Sequence, residues 1–243
     1  MNVKGVFLIF FISIVSFSQN VTVASDNLTL TTDFILGKYD YKNHELFTLV
    51  NPKYTSKTIY LNKEVYTAFL KMHNQAEKDG ISLKIISGTR NFEEQKAIWE
   101  RKWKKRNNLN PIDRANKILE YSSMPSTSRH HWGTDMDLNN FTNSYFEHGK
   151  GKLEYQWLLK NANKYGFYQV YTNKTNGRTG YNLERWHWSY MPLAKTYLEF
   201  YNKHITYLDI TGFKGSNLAK ELNIITLYVN GISKKAKTAF NKD

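Results

Sequence analysis

Residues 128–137 read Ser128-Arg129-His130-His131-Trp132-Gly133-Thr134-Asp135-Met136-Asp137. Imidazole and carboxylate are natural zinc ligands, and catalytic zinc sites combine three protein ligands with one open position. His130 and Asp137 stand seven residues apart. The stretch from His131 to Leu138 reads as a strand, and in a straight strand those two side chains would face opposite sides. Gly133 between them can supply the bend or bulge that brings both to one side. Taken alone, the stretch reads equally well as a polar surface strand.

Working outward, Glu184-Arg185-Trp186-His187-Trp188 lies about fifty residues downstream. A histidine here can complete a metal triad, and a carboxylate three residues earlier can reach a metal-bound water. Zinc lowers the pKa of such a water to roughly 7, so Glu184 could accept its proton and pass it to a leaving amine. The competing reading is an amphipathic strand with core tryptophans and an exposed Glu184. Upstream, Ser87-Gly88-Thr89-Arg90 ends a strand expected over Ile81–Ile86, and Gln95 follows on the next helix. An arginine at a strand end can grip a carboxylate bidentately or stabilise an oxyanion. An arginine in a turn is otherwise a helix cap or a surface residue.

The rest of the chain supplies a scaffold. Val65, Phe69 and Met72 recur at helical spacing within Lys63–Lys78, with Asn62 as cap and Asp79-Gly80 as stop. Phe92 to Trp103 is a second helix with Phe92, Ile98 and Trp99 as core contacts, and Pro111 opens a third. Leu153 to Tyr165 is helical and stopped by Gly166. Strands are expected at Phe167–Tyr171 and Trp186–Tyr190, and a helix from Pro192 to about Asn202. The tail from Ile205 is ambiguous, with Leu218 to Val229 read as helix. Helices and strands mix without a βαβ rhythm. That pattern implies an α+β fold, a small central antiparallel sheet flanked by helices in a single catalytic domain.

Composition bounds the setting. The chain has 243 residues, 34 Lys and Arg against 21 Asp and Glu, and no cysteine. Residues 1–18, MNVKGVFLIFFISIVSFS, combine Lys4, a short apolar run and a small-x-small end, the pattern of a cleaved signal peptide. The run is too short for a spanning helix of about 20 residues. An exported, periplasmic or extracellular protein with no stable membrane insertion follows. Lacking disulfides, it depends on its core for stability. Residues 19–58 read as an N-terminal arm, 59–204 as the catalytic domain and 205–243 as a C-terminal helical extension packed on it. The densest basic cluster (Lys102, Lys104, Lys105, Arg106) lies at a helix end, where a solvated face explains it. Net charge alone would suit nucleic acid, but no recognition motif accompanies it.

Ser128-x-His130-x-x-Gly133-x-x-x-Asp137, then Glu184-x-Trp186-His187, resembles the zinc D-alanyl-D-alanine peptidases. That group includes the D,D-carboxypeptidases and dipeptidases of vancomycin resistance, L,D-carboxypeptidases and phage endolysins. Ser87-Gly88-x-Arg90-x-x-x-x-Gln95 resembles the group's arginine segment, and motif order agrees over roughly residues 60 to 200. The resemblance implies zinc held by His130, Asp137 and His187, Glu184 as general base, and Arg90 stabilising the intermediate or substrate. It implies Gln95 and Ser128 on the substrate's carboxylate end, and peptidoglycan stem peptides as partners; a monomer is expected. The group has a small residue where this chain has Asp135. That extra carboxylate is read as substrate-binding, holding an ammonium, with orientation of a ligand as its other possible role. His131 has no role in the resemblance and reads as structural. Trp132 and Trp186 flank ligands and are candidates for the core or the cleft wall. A non-catalytic wall-binding module is the reading from another class; loss of the base or a ligand would mark it, and all four residues are present.

Overall fold

The computed structural model describes residues 21–22 and 29–239; the expected leader lies outside them. The described part of the arm contains β1 (Val21–Thr22) paired with β2 (Thr29–Leu30), and α1 (Thr32–Ile35). Strand β3 (Phe47–Leu49) pairs antiparallel with β4 (Tyr60–Asn62). Helix α2 runs Lys63–Lys78, as its spacing predicts, and the Asn62 side chain accepts from the Glu64 N–H to cap it. After β5 (Ile85–Ser87), α3 (Phe92–Lys105) opens with a reciprocal Asn91–Glu94 capping box, and α4 (Pro111–Leu119) with Pro111 in its first turn. Such caps supply partners for orphan N–H groups and are each worth about 1 kcal/mol. Then come β6 (Asp135–Leu138), α5 (Gly149–Asn161), β7 (Phe167–Gln169), β8 (His187–Tyr190), α6 (Met191–His204) and α7 (Lys234–Lys237).

The central sheet has the order β5-β6-β8-β7, every neighbouring pair antiparallel. Alternation along its strands divides the chemistry. Met136, Leu138 and Trp188 point to one face and are buried with Ile85, Phe167, Phe69 and Met72 of α2, and Leu158 of α5. Burying a side chain of this size contributes about 1.5–3 kcal/mol. Asp135, Asp137, His187 and Ser189 occupy the alternate positions. The β6–β8 register sets Asp137 opposite His187 and Asp135 opposite Ser189. A mixed helix and strand fold with a small antiparallel sheet is therefore what the chain adopts.

Several boundaries differ from the sequence reading. The strand expected from His131 begins only at Asp135; Arg129–Trp132 form a 3-10 turn, and Gly133 leaves it in the left-handed region (φ 68°). A Cβ on Gly133 would fall 2.3 Å from Phe47 Cε1. The bend thus needs glycine for conformation and for space. The first strand of the sheet is shorter than Ile81–Ile86, because its ladder with β6 begins at Ile85 and carries a register shift between Ile85 and Ser87. Leu218–Val229 is not one helix. A 3-10 turn (Ser216–Leu218) and a π turn (Ile225–Val229) are separated by Asn223 at φ 53°, a conformation that breaks helical propagation. Ile98 is only half-buried and lines a cleft, while Phe92 and Trp99 enter the core as expected.

The arm and tail pack on the sheet-bearing region. Phe34, Ile35, Phe47 and Trp132 share a cluster with Tyr197 and Tyr201 of α6. Phe213, Leu218 and Ile224 of the tail pack with Trp99, Trp103 and Tyr181. Among the described residues no helix is long and apolar enough to cross a membrane.

Candidate active site

The polar side of the sheet opens into a cleft of ≈ 940 Å³ lined by Arg90, Gln95, Ser128, His130, Asp137, Glu184 and His187, among others. A second hollow, of ≈ 470 Å³ beside β7 and α7, contains none of the candidate catalytic, substrate-binding or metal-binding residues.

Three ligand-type side chains converge here. His130 comes from the 3-10 turn, Asp137 from β6 and His187 from the start of β8. One donor atom from each lies within 4.8 Å of the others, all three side chains are buried, and together they could hold a metal ion. His130 Nε2 is 3.4 Å from Asp137 Oδ2, and His187 Nδ1 is 3.1 Å from Asp137 Oδ1. Tetrahedral bonds of about 2.0–2.1 Å put ligand atoms roughly 3.3 Å apart, close to these two contacts, each of which uses a different Asp137 oxygen.

The remaining nitrogen of each imidazole is already engaged. His130 Nδ1 lies 2.8 Å from the Gly88 carbonyl and donates to it. His187 Nε2 lies 2.9 Å from Asp135 Oδ1. Each ring is thereby oriented with its other nitrogen toward Asp137, the arrangement in which outer partners fix metal-binding histidines. Burial and the Arg90 charge pull the His130 pKa down to about 3, so the ring is neutral and its Nε2 lone pair is available. Burial also disfavours charge on His187. Its hydrogen bonds to Asp135 and Asp137 outweigh that and push it up to about 10.

Glu184 stands in the loop before β8, its Oε2 3.6 Å from His187 Nδ1. Burial raises its pKa to about 8, with His187 opposing and Asp137 adding to the rise. A carboxyl group poised near neutral pH suits an acid–base role.

Arg90 is clamped to the ligand turn through its backbone. Its N–H donates to the His130 carbonyl at 3.1 Å, and its own carbonyl accepts from His131 Nδ1 at 2.7 Å. His131 Nε2 in turn accepts from the Ser126 N–H at 3.1 Å, which accounts for the structural part expected of it. The Arg90 guanidinium donates through Nε to Gln95 Oε1 (3.1 Å) and through Nη1 to Ser87 Oγ (2.5 Å). Among the described residues it forms no ion pair within 4 Å, so its charge remains open to a ligand. The Gln95 amide lines the cleft, accepting from Arg90 and donating to the Ser123 carbonyl at 2.8 Å. Ser128 Oγ is buried in the cleft wall with no hydrogen-bond partner among the described residues.

Asp135 does not meet its first expected role. It is 0% exposed and lines no part of the cleft, so it cannot reach a substrate ammonium. Its partners are His187, Thr134, Ser189 and Arg129. Trp186 lines the cleft, whereas Trp132 is buried under the arm with its Nε1 donating to the Ile35 carbonyl. Sequence reasoning passed over Arg129, Ser189 and Lys102. Arg129 lies between Ser128 and His130, and nothing in its type tells a buried arginine from a surface one. Lys102 was assigned to a solvated cluster, yet it lines the cleft with its Nζ against Ser122 Oγ.

Comparison with known proteins assigns a family. A family model described as D-alanyl-D-alanine carboxypeptidase (VanY) matches residues 58–193, more than half of the chain. YodJ of Bacillus subtilis (strain 168) is 30% identical over 134 residues, covering 54% of this chain and 46% of that protein. The D-alanyl-D-alanine carboxypeptidase of Enterococcus faecium is 31% identical over 136 residues, covering 56% and 39%. The matched stretch thus spans less than half the length of either relative. Among solved structures, the LdcB LD-carboxypeptidase matches with a TM-score of 0.53 at 20% identity, over 86% of this chain and 91% of that one. VanYB in complex with D-alanine-D-alanine matches with a TM-score of 0.51 at 21% identity, over 70% and 92%. These two likenesses concern the fold. The sequence match is what assigns the family: it extends from before the arginine turn to beyond β8, and by it the chain belongs to the VanY-type D-alanyl-D-alanine carboxypeptidases.

Proposed function

We propose that this protein is a zinc-dependent carboxypeptidase that removes a C-terminal D-alanine from peptidoglycan stem peptides. The observation that carries the proposal is the convergence of His130, Asp137 and His187, with donor atoms within 4.8 Å of one another, in one cleft with Arg90, which has no ion-pair partner among the described residues. Two imidazoles and a carboxylate are a donor set that zinc favours. Bound there, zinc would supply an acidified water and polarise the scissile carbonyl.

The chain's own residues do the rest. Glu184 takes the proton of the attacking water and delivers it to the leaving amine; its raised pKa lets it serve as base and then acid. Arg90 grips the substrate's terminal carboxylate or the developing oxyanion, and Gln95 aims its guanidinium. Ser128 Oγ supplies a further polar contact at the carboxylate end. The Enterococcus faecium relative bears the name of this activity, which supports the substrate class. The leader-like first eighteen residues support export to the periplasm or the medium, where the substrate lies.

The test is mass spectrometry of purified muropeptides incubated with the protein, with and without chelator and after zinc is restored. Loss of one alanine mass from pentapeptides, abolished by chelator, is expected. Loss from tetrapeptides alone would make it an L,D-carboxypeptidase, and internal cuts an endopeptidase. Unchanged muropeptides in zinc-replete buffer would reject catalysis and leave a wall-binding module.

A further inference from the structure

Asp135 and Arg129 form a buried ion pair beside His187, with Arg129 also reaching the cleft wall. Asp135 Oδ1 accepts from Arg129 Nε at 3.1 Å and from His187 Nε2 at 2.9 Å. Its Oδ2 accepts from Thr134 Oγ1 at 2.6 Å and from Ser189 Oγ at 3.0 Å. Four donors fill the acceptor capacity of one carboxylate. Arg129 is 1% exposed, donates through Nη2 to Ser189 Oγ at 2.6 Å, and lies 4.9 Å from the Trp132 ring centre. Its charge has Asp135 as its ion-pair partner.

The consequence falls on His187. An imidazole that donates from Nε2 to a carboxylate has only Nδ1 left as a lone-pair donor. That nitrogen faces Asp137. A ring flipped about Cβ–Cγ would set Cδ2 where Nδ1 now faces Asp137 and Cε1 where Nε2 now faces Asp135, losing both contacts. Ser189 stands opposite Asp135 across the β6–β8 ladder, so the sheet register itself holds the device in line with the Asp137–His187 pair.

We propose that Arg129, Asp135 and Ser189 are a positioning unit that locks His187 for metal ligation through Nδ1, and that Asp135 sets metal affinity rather than substrate choice. The inference rests on the reading of His130, Asp137 and His187 as metal ligands. Outer carboxylates on metal-binding histidines are worth roughly 10–100-fold in metal affinity.

Zinc competition titrations with a chromophoric chelator test it on Asp135→Asn, Asp135→Ala and the double variant Arg129→Met/Asp135→Ala. The double variant removes both buried charges together and guards against misfolding of the single alanine variant, and circular dichroism checks the fold of each. Zinc affinity is expected to fall roughly 10–100-fold in the folded variants. At saturating zinc, KM should stay at the wild-type value. Long-range nitrogen–proton NMR of the zinc-loaded wild type should show His187 protonated at Nε2 and ligated at Nδ1. Wild-type zinc affinity in a folded variant, ligation through Nε2, or a raised KM with affinity intact would each overturn the inference. A wild-type protein that binds no zinc would sink the metal-centre reading, and this inference with it.

Discussion

His187 and Glu184 are three residues apart, yet burial acts on them with different results. The Glu184 carboxyl rises to about 8, while carboxylate partners lift His187 to about 10 despite burial. Glu184→Gln preserves size but cannot carry the proton. Zinc content should remain at wild type and turnover should fall roughly 10²–10⁴-fold; near-normal turnover would reject the role. For His187 the sign is fixed by its raised pKa: below about 10 the metal-free ring holds a proton that zinc must displace. Zinc affinity should therefore climb about tenfold per pH unit between roughly pH 6.5 and 9. Calorimetry in buffers of different ionisation enthalpy should report near one proton released; no proton release would contradict it. At this scale the ligand-type residues were legible because their types are rare and their order follows a known motif. Arg129 and Ser189 were not, because their meaning lies in a cross-strand register that no local spacing encodes.

Elements were legible where local chemistry is strong. Helix α2 falls on the predicted Lys63–Lys78 because Asn62 caps it and its apolar spacing has one period. The ligand turn was misread as a strand, since His131-Trp132 and Met136 fit an extended pattern until Gly133 turns left-handed. Gly133→Ala tests that bend. A non-glycine residue in this region costs about 1–2 kcal/mol from conformation alone, and here the new Cβ would also press on Phe47. Gly177 makes a natural control, having φ 76° with nothing within 4 Å of a built Cβ. Thermal unfolding should show Gly133→Ala losing more than Gly177→Ala, at about 2–4 °C per kcal/mol for a chain of this size. Zinc affinity should fall only in Gly133→Ala, because that turn carries His130. Equal losses in both variants would show that the bend does not shape the site.

The α+β class followed from the irregular mixing of helices and strands. What the sequence could not display is how the molecule closes around its cleft: the arm's Tyr39 hydroxyl donates to the His131 carbonyl, and Lys102 on α3 lines the cleft beside the acid–base groups. Such contacts join residues 92 apart in the first case. The cleft therefore has a direction. Asp137 and His187 lie on the sheet, with His130 and Glu184 in the turn and loop beside it, while the guanidinium of Arg90 stands at the β5–α3 junction, on Ser87 and Gln95. On the proposed reading, a peptide with its terminal carboxylate on Arg90 would present its last amide bond to the His130, Asp137 and His187 side of the cleft. A charge-assisted bond of this kind contributes about 1.5–3 kcal/mol, so amidating the substrate's C-terminus should slow cleavage about 10- to 150-fold. Arg90→Lys should not restore the free-acid rate, since lysine keeps the charge but lacks the planar fork that also engages Gln95 and Ser87. Stem pentapeptide, tetrapeptide and their amides, assayed side by side for released D-alanine, measure this directly. Equal rates on free and amidated peptides would place Arg90 on the oxyanion alone and turn the cleft into that of an endopeptidase.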